Sequence, residues 1–263
     1  MDLELQGKIV VVTGSAGIKG SIGESIIRAL AEEGAVPVLV DRNNRGAQYV
    51  QELRDQGIDS RFFKTDMSDP LQIKKAVEKI EAHYGQIDVL INNVGVNDGA
   101  GLEGSVDDFI ASLHLNLISY FAMTKYALPL LKKVKGNILN IGSKVALTGQ
   151  GGTSGYAAAK GGVLGLTREW AVDLIKDGIR CNAVIIAESW TPAYQNWLDN
   201  FPDGDQKKKA IENKIPFEKR MTSPREIADT CLFTISKKAS HTTGQFLFVD
   251  GGYVHLDRAL LTD

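Results

Sequence analysis

Between Ser143 and Lys160 the chain reads SKVALTGQGGTSGYAAAK: a serine closes an apolar run, a glycine-rich loop follows, and Tyr156 opens a helical pattern with Lys160 four residues on. Positions i and i+4 share a helix face, so the phenol and the ammonium point the same way. A fixed cation near a phenol favours its ionised form and lowers its pKa from about 10 toward working pH, making the group a usable proton acceptor. A tyrosine and a lysine at this spacing also arise by chance, with the ring half buried and the lysine solvated. The rest of the chain has to decide between the two.

The elements that would position this pair are legible from periodicity. Apolar, β-branched runs lie near 8–13, 36–41, 61–66, 87–93, 136–142, 179–186 and 245–250. Amphipathic helical patterns separate them: ESIIRALAEEG after the first, then segments near 44–56, 69–84, 105–132, 154–176 and 224–236. Strands apolar on both faces and alternating with helices predict an α/β fold. It is a doubly wound parallel sheet of about seven strands with helices on both faces, and ligands bind at the carboxyl ends of the strands. No composition shift marks a linker, so residues 1–263 read as a single domain. Segment 187–221, the longest without a strand and broken by Pro192, Pro202, Gly204 and Pro216, reads as one or two mobile helices forming a substrate lid.

Composition narrows the function classes. With 263 residues and 43% apolar content the chain can bury a sizeable core. Its net charge is −2 and its lysines and arginines are scattered, including a solvated run at Lys207–Lys209, which argues against a nucleic-acid partner. The start, MDLELQGKIVVV, lacks a basic leader, and no apolar run approaches the roughly 18 residues that span a bilayer, so a soluble cytoplasmic protein is expected, with no membrane partner. Cys181 and Cys231 sit in apolar segments as small hydrophobes, and the four histidines share no ligand spacing with each other or the cysteines, so no metal site is expected.

The loops at the strand ends form a set. After the first strand comes TGSAGIKGSIG, Thr13 to Gly23, leading into a helix. Glycines there allow a tight turn and close approach to a pyrophosphate, whose charge meets the helix N-terminus. The spacing departs from the usual G-x-x-x-G-x-G: counting back from Gly34, the last loop glycine is Gly23, Ser21 replaces the one before it, and the loop is about three residues longer than usual. Asp41, at the tip of the second strand, suits a ribose 2′-hydroxyl and repels a 2′-phosphate, which favours NAD over NADP, although Arg42 beside it could accommodate the phosphate. Asp66 could bond an adenine amino group or cap the next helix.

Glycine loop, Asp41, Asp66, Asn92-Asn93-Val94-Gly95, Asn116, Ser143, Tyr156 and Lys160 together resemble the short-chain dehydrogenase/reductase family, over essentially the whole chain. The resemblance implies a Rossmann-type domain, a catalytic tetrad of Asn116, Ser143, Tyr156 and Lys160, and usually a homotetramer. It places the cofactor against Gly14, Ser21, Ile22, Gly23, Asp41, Arg42, Asp66, Met67, Asn93, Gly95, Tyr156, Lys160, Ile186 and Thr191. In the oxidative direction Ser143 would hold the reacting oxygen and Tyr156 would take its proton. Lys160 would lower the tyrosine pKa and hold ribose hydroxyls, and Asn116 would hold a water in the proton relay. The chain departs from the family after the sixth strand, where Ile186-Ala187 replaces Pro-Gly. Enoyl reductases share a lengthened loop ending in Ser-Ile, but space their tyrosine and lysine further apart than here.

Within the family, GVNDGAGLE, TGQGGTSGY, TREWAVDL and the C-terminal ASHTTG to HLDRAL segments look like those of L-fucose dehydrogenases and related sugar dehydrogenases. That likeness implies oxidation of the anomeric carbon of an aldose to a lactone. The candidate substrate residues are Asn97, Ser143, Gln150, Tyr156, Glu188 and Trp190; Lys144, Thr153, Tyr194, Trp197 and the tail from Tyr253 to Arg258 offer further polar and aromatic groups. Two other readings stand beside this one: a carbonyl reductase of acyl or steroid-like substrates, and a dinucleotide-binding module without catalysis.

Overall fold

The first apolar run forms β1 (Ile9–Thr13), and the alternation of its side chains sets the layers. Val10 and Val12 enter one buried cluster with Ile26, Leu30, Ile227 and Leu232, whereas Val11 enters another with Ile73, Met123, Leu130 and Val163. A sheet buried on both faces follows. In the computed structural model, which describes residues 2–257, the remaining strands are β2 (Val36–Asp41), β3 (Arg61–Lys64), β4 (Val89–Asn92), β5 (Asn137–Ser143), β6 (Arg180–Ile186) and β7 (Phe246–Val249). All pair in parallel, in the order β3-β2-β1-β4-β5-β6-β7. Arg258, the end of the expected tail, lies outside the described residues.

Helices α1 (Ile22–Glu32), α2 (Arg45–Arg54) and α9 (Pro224–Ile235) cover one face; α3 (Pro70–Tyr84), α5 (Ser119–Val134) and α6 (Ser154–Asp173) cover the other. Both cysteines are buried in these layers. The chain turns back on itself at β1, whose neighbours are β2 and β4, and this reversal opens a crevice at the carboxyl ends of the strands. No helix of the described residues is long and apolar enough to cross a membrane, and no cluster of ligating side chains that could hold a metal ion occurs among them.

Two departures from the periodicity bear on the site. The single helix expected over 105–132 is instead α4 (Val106–Leu113), a π-helical turn His114–Ile118 and α5. The cause is Asn116, whose side chain donates to Ser112 O (3.0 Å) and exchanges bonds with the backbone of Val96. Such one-turn bulges interrupt helices without any glycine or proline to announce them. The Tyr/Lys helix ends at Asp173 rather than near 176, and a short 3₁₀ turn, Ile175–Asp177, leads to Gly178 in the left-handed region at φ +67°. Segment 187–221 holds two short helices, α7 (Pro192–Leu198) and α8 (Gly204–Glu212).

Helix α6 is seated by a close approach. A Cβ on Gly155 would lie 2.7 Å from Ser112 Cβ, so only glycine lets α6 press onto α4 immediately before Tyr156. Packing there fixes where the phenol sits.

Candidate active site

Thr13 is the hub of the first strand end. Its Oγ1 accepts from the backbone N–H of Asn93 (3.0 Å) and Val94 (3.2 Å), while Asn93 Nδ2 donates back to Thr13 O (3.0 Å) and Gly14 O (2.9 Å). These bonds clasp the ends of β1 and β4 so tightly that a Cβ on Gly14, at φ +65°, would lie 2.7 Å from Val94 Cα. A Cβ on Gly23 would lie 2.1 Å from Gly14 O. Backbone therefore touches backbone, and the first turn of α1, capped by Ser21, faces an open crevice.

The extra loop residues are tied down from three elements. Tyr49 Oη donates to Gly17 O (2.8 Å), Gly20 N–H donates to Glu24 Oε2 (3.0 Å), and Ala16 N–H donates to Asp41 Oδ2 (2.8 Å). Asp41 Oδ1 accepts from Asn43 N–H (2.8 Å), so this carboxylate braces the loop from the tip of β2. Glu24 is buried and neutralised by Arg28, which reaches on to Glu52 at 2.8 Å.

Every residue expected to bind the cofactor lines one elongated cavity of about 370 Å³, which runs from Asp41, Asp66 and Met67 past Gly14 and Gly23 to Tyr156, Lys160, Ile186 and Thr191. Its glycine cradle, helix N-terminus and carboxylate at the far strand end fit a dinucleotide. Ser15 Oγ, buried in the same loop, has no hydrogen-bond partner among the described residues. Asp66 is not a helix cap: Asp69 takes that role, accepting from Leu71 N–H (2.9 Å), while Asp66 Oδ1 accepts from Ser68. Ile186 ends β6 and Thr191 caps α7, so the segment without Pro-Gly still lines the crevice.

The proton-handling groups converge at its other end. Tyr156 and Lys160 lie on one face of α6, with the ammonium 5.7 Å from the phenol ring centre. Lys160 is only 2% exposed, and its Nζ donates to Tyr120 Oη (2.9 Å) and Ile141 O (2.9 Å). Burial lowers its pKa to about 7. Burial also pushes Tyr156 up to about 12, against an opposing hydrogen bond with Ser143 and helped by nearby Asp98. Burial thus works against the sequence expectation of a phenol pulled down by its lysine. Desolvation outweighs a cation that is itself buried and spends its bonds on Tyr120 and Ile141.

The Asn116 side chain bonds to Val96 and Ser112 and so holds the π turn and the loop after β4 together. Tyr120 was not singled out by the sequence reading. Its spacing of four from Asn116 was the available signal, since that places both on one face of a helix.

Beyond Ser143 a second cavity, of about 620 Å³, is lined by Lys144, Thr148, Gln150, Tyr253 and Asp257, with Val254 and Leu256 as its aliphatic part. Lys144 pairs closely with Glu188, and Tyr194 Oη donates to the other Glu188 oxygen at 2.8 Å. The Trp190 and Tyr194 rings lie tilted at 47° with centres 6.4 Å apart, and Trp190 lines neither cavity; Asn97 is exposed and lines neither.

Comparison with known proteins agrees with this geometry. A family model described as enoyl-(acyl carrier protein) reductase, within the short-chain dehydrogenase/reductases, matches residues 16–254. The 3-oxoacyl-[acyl-carrier-protein] reductase FabG of Thermotoga maritima is 32% identical over 96% of this chain and all of its own. Mouse L-fucose dehydrogenase is 32% identical over 94% of this chain and 88% of its own length. The crystal structure of Cj0485 dehydrogenase superposes with a TM-score of 0.94 at 45% identity, covering 100% of both chains. The chain belongs to the short-chain dehydrogenase/reductase family of nicotinamide-dependent oxidoreductases.

Proposed function

We propose that the protein oxidises a sugar hydroxyl, at the anomeric carbon of L-fucose or a related aldose, to the lactone, with NAD as the partner nucleotide. The observation that carries this reading is the polar cavity beyond Ser143, whose charged and hydrogen-bonding side chains an acyl chain or steroid would leave unpaired. A bound nicotinamide supplies the hydride acceptor. Ser143 holds the anomeric hydroxyl, Tyr156 removes its proton, and the closely packed walls keep both in line with the reacting carbon. Lys160 offers its remaining donor to ribose hydroxyls and, as the cofactor adds its own dipoles, supports the phenolate. Asp41 at the tip of β2 favours a ribose 2′-hydroxyl, and Arg42 and Arg45 on the same cavity make NADP the arm to compare.

A second reading is supported by the FabG relative at equal identity: reduction of a 3-oxoacyl thioester. A matrix of NAD and NADP against L-fucose, other aldoses and a 3-oxoacyl thioester separates the two. Aldose turnover with NAD is expected; thioester reduction with no aldose activity sinks the sugar reading. Tyr156→Phe serves as control, with nucleotide binding retained and kcat lowered about 10³-fold or more.

A further inference from the structure

We propose that the buried Lys144–Glu188 pair, braced by Tyr194, is a specificity-determining element that reads a pair of neighbouring hydroxyls on the substrate. The proposal rests on the sugar reading and adds the recognising groups. Ser143 and Ile186 are register partners at the ends of β5 and β6. Lys144 follows the first and Glu188 lies two residues past the second, so the pair stands beside the reacting oxygen's site and opens on the second cavity through Lys144.

Stability does not account for this pair. The two side chains are 11% and 13% exposed, and taking two charges out of water costs several kcal/mol per ion before their attraction repays it. Neither lines the nucleotide cavity. Yet three separate segments hold the pair in place. The backbone on either side of Ser189 is clamped to Thr222, whose N–H donates to Glu188 O (3.0 Å) and whose O accepts from Trp190 N–H (2.9 Å). Tyr194 comes from α7, and the Lys144 ammonium sits 4.4 Å from the Tyr253 ring centre. Tyr253 in turn lies in the turn that Asp250 ties by accepting from Gly252 N–H (2.8 Å) and Val254 N–H (3.0 Å).

The valences point to hydroxyl groups. An ammonium has three donors and a carboxylate about four acceptor sites, and the contacts above use one donor and two acceptor sites. One hydroxyl can accept from Lys144 while its neighbour donates to Glu188, which is the pattern of a vicinal diol. A carboxylate ligand would face Glu188 and an amine would face Lys144, so the net-neutral pair suits an uncharged polyol. An aliphatic ligand would strip water from both ions and return nothing.

The test compares L-fucose with 2-hydroxytetrahydropyran, a cyclic hemiacetal that keeps the anomeric hydroxyl and lacks the others. The full chain should prefer the aldose in kcat/KM by about 100-fold or more. In Lys144→Met/Glu188→Leu, which removes both charges at similar volume, that ratio should fall below about tenfold, with the loss falling on the aldose arm. The dissociation constant of L-fucose for protein saturated with reduced nucleotide, measured calorimetrically, should weaken in parallel. A double variant with a native thermal midpoint and an unchanged ratio overturns the proposal alone. Failure of the unmodified protein to turn over either hemiacetal overturns the proposal and the sugar reading together.

Discussion

The two walls of the crevice are built on different principles. At the glycine-loop end, strand ends and a helix start meet backbone to backbone, with Thr13 and Asn93 as the clasp. Beyond Ser143, the wall is made of side chains drawn from the ends of β5, β6 and β7 and from α7, and its central contact is an ion pair. A backbone cradle accepts one shape of ligand whatever the surrounding side chains. A side-chain wall can be rewritten by single substitutions while the strands stay in place. The first suits a cofactor shared by a family, the second a substrate peculiar to one member.

The sharpest way to break this contrast is to insert one methyl group in the cradle. In Gly23→Ala the new Cβ falls 2.1 Å from Gly14 O and 2.9 Å from Asn93 Nδ2, and the carbonyl belongs to a strand end with no room to withdraw. A displaced α1 should lower stability by about 2–3 kcal/mol, read from denaturant midpoints. Nucleotide affinity should fall about 100-fold or more, since the helix N-terminus no longer faces the phosphates. Native affinity in this variant would mean the cradle is not where the nucleotide binds.

A second prediction concerns the place where the two walls meet. Burial lowers Lys160 to about 7 from the 10.5 of an exposed lysine. Between those values the unfolded chain binds a proton that the folded one has released, so this group's contribution to stability rises with pH across that window. Lys160→Met removes the effect. The wild type should therefore gain on the variant as pH rises from about 7 to 10, by at most about 1.4 kcal/mol per pH unit. Above pH 10 both proteins should lose stability together, because Tyr156, pushed up to about 12, keeps its proton when folded and loses it when unfolded, and the difference between them levels off. Parallel curves for the two proteins from pH 7 to 10 would place Lys160 in contact with water.

What was legible in the sequence follows the same division. The sheet, its crevice and the nucleotide cavity depend on local signals: β-branched runs, glycines and an acid at a strand tip. Those signals gave the glycine loop and Asp41, the family resemblance added Ile186 to the same set, and the structure brings Gly14, Gly23, Asp41 and Ile186 onto one cavity. The π turn at Asn116 depends on a bond to Val96, twenty residues earlier, which leaves no periodic trace. The Lys144–Glu188 pair spans 44 residues, and sequence alone listed both members among polar loop groups without joining them. The phenol's electrostatics were misjudged because spacing reports which residues share a face, while pKa depends on how deeply that face is buried.

The smallest expected effect separates cap from ligand within the first wall. Asp66 and Asp69 stand three residues apart after β3, and sequence offered Asp66 both as a cap for α3 and as a partner for adenine. The structure gives the cap to Asp69, whose Oδ1 accepts from Leu71 N–H (2.9 Å) and Gln72 N–H (3.3 Å). Asp66 instead lines the nucleotide cavity, its Oδ1 turned to Ser68 and its pKa lowered by that hydroxyl and backbone N–H. Asp69→Ala should lower the thermal midpoint by roughly 2–4 °C and leave nucleotide affinity alone. Asp66→Ala should do the opposite, holding the midpoint within about 1 °C while affinity for NAD weakens about threefold to tenfold, as expected for one hydrogen bond lost at a partly solvated edge. If Asp66→Ala shifts the midpoint and spares affinity, the adenine end of the cavity is closed by other groups, and the wall built of backbone stops short of β3.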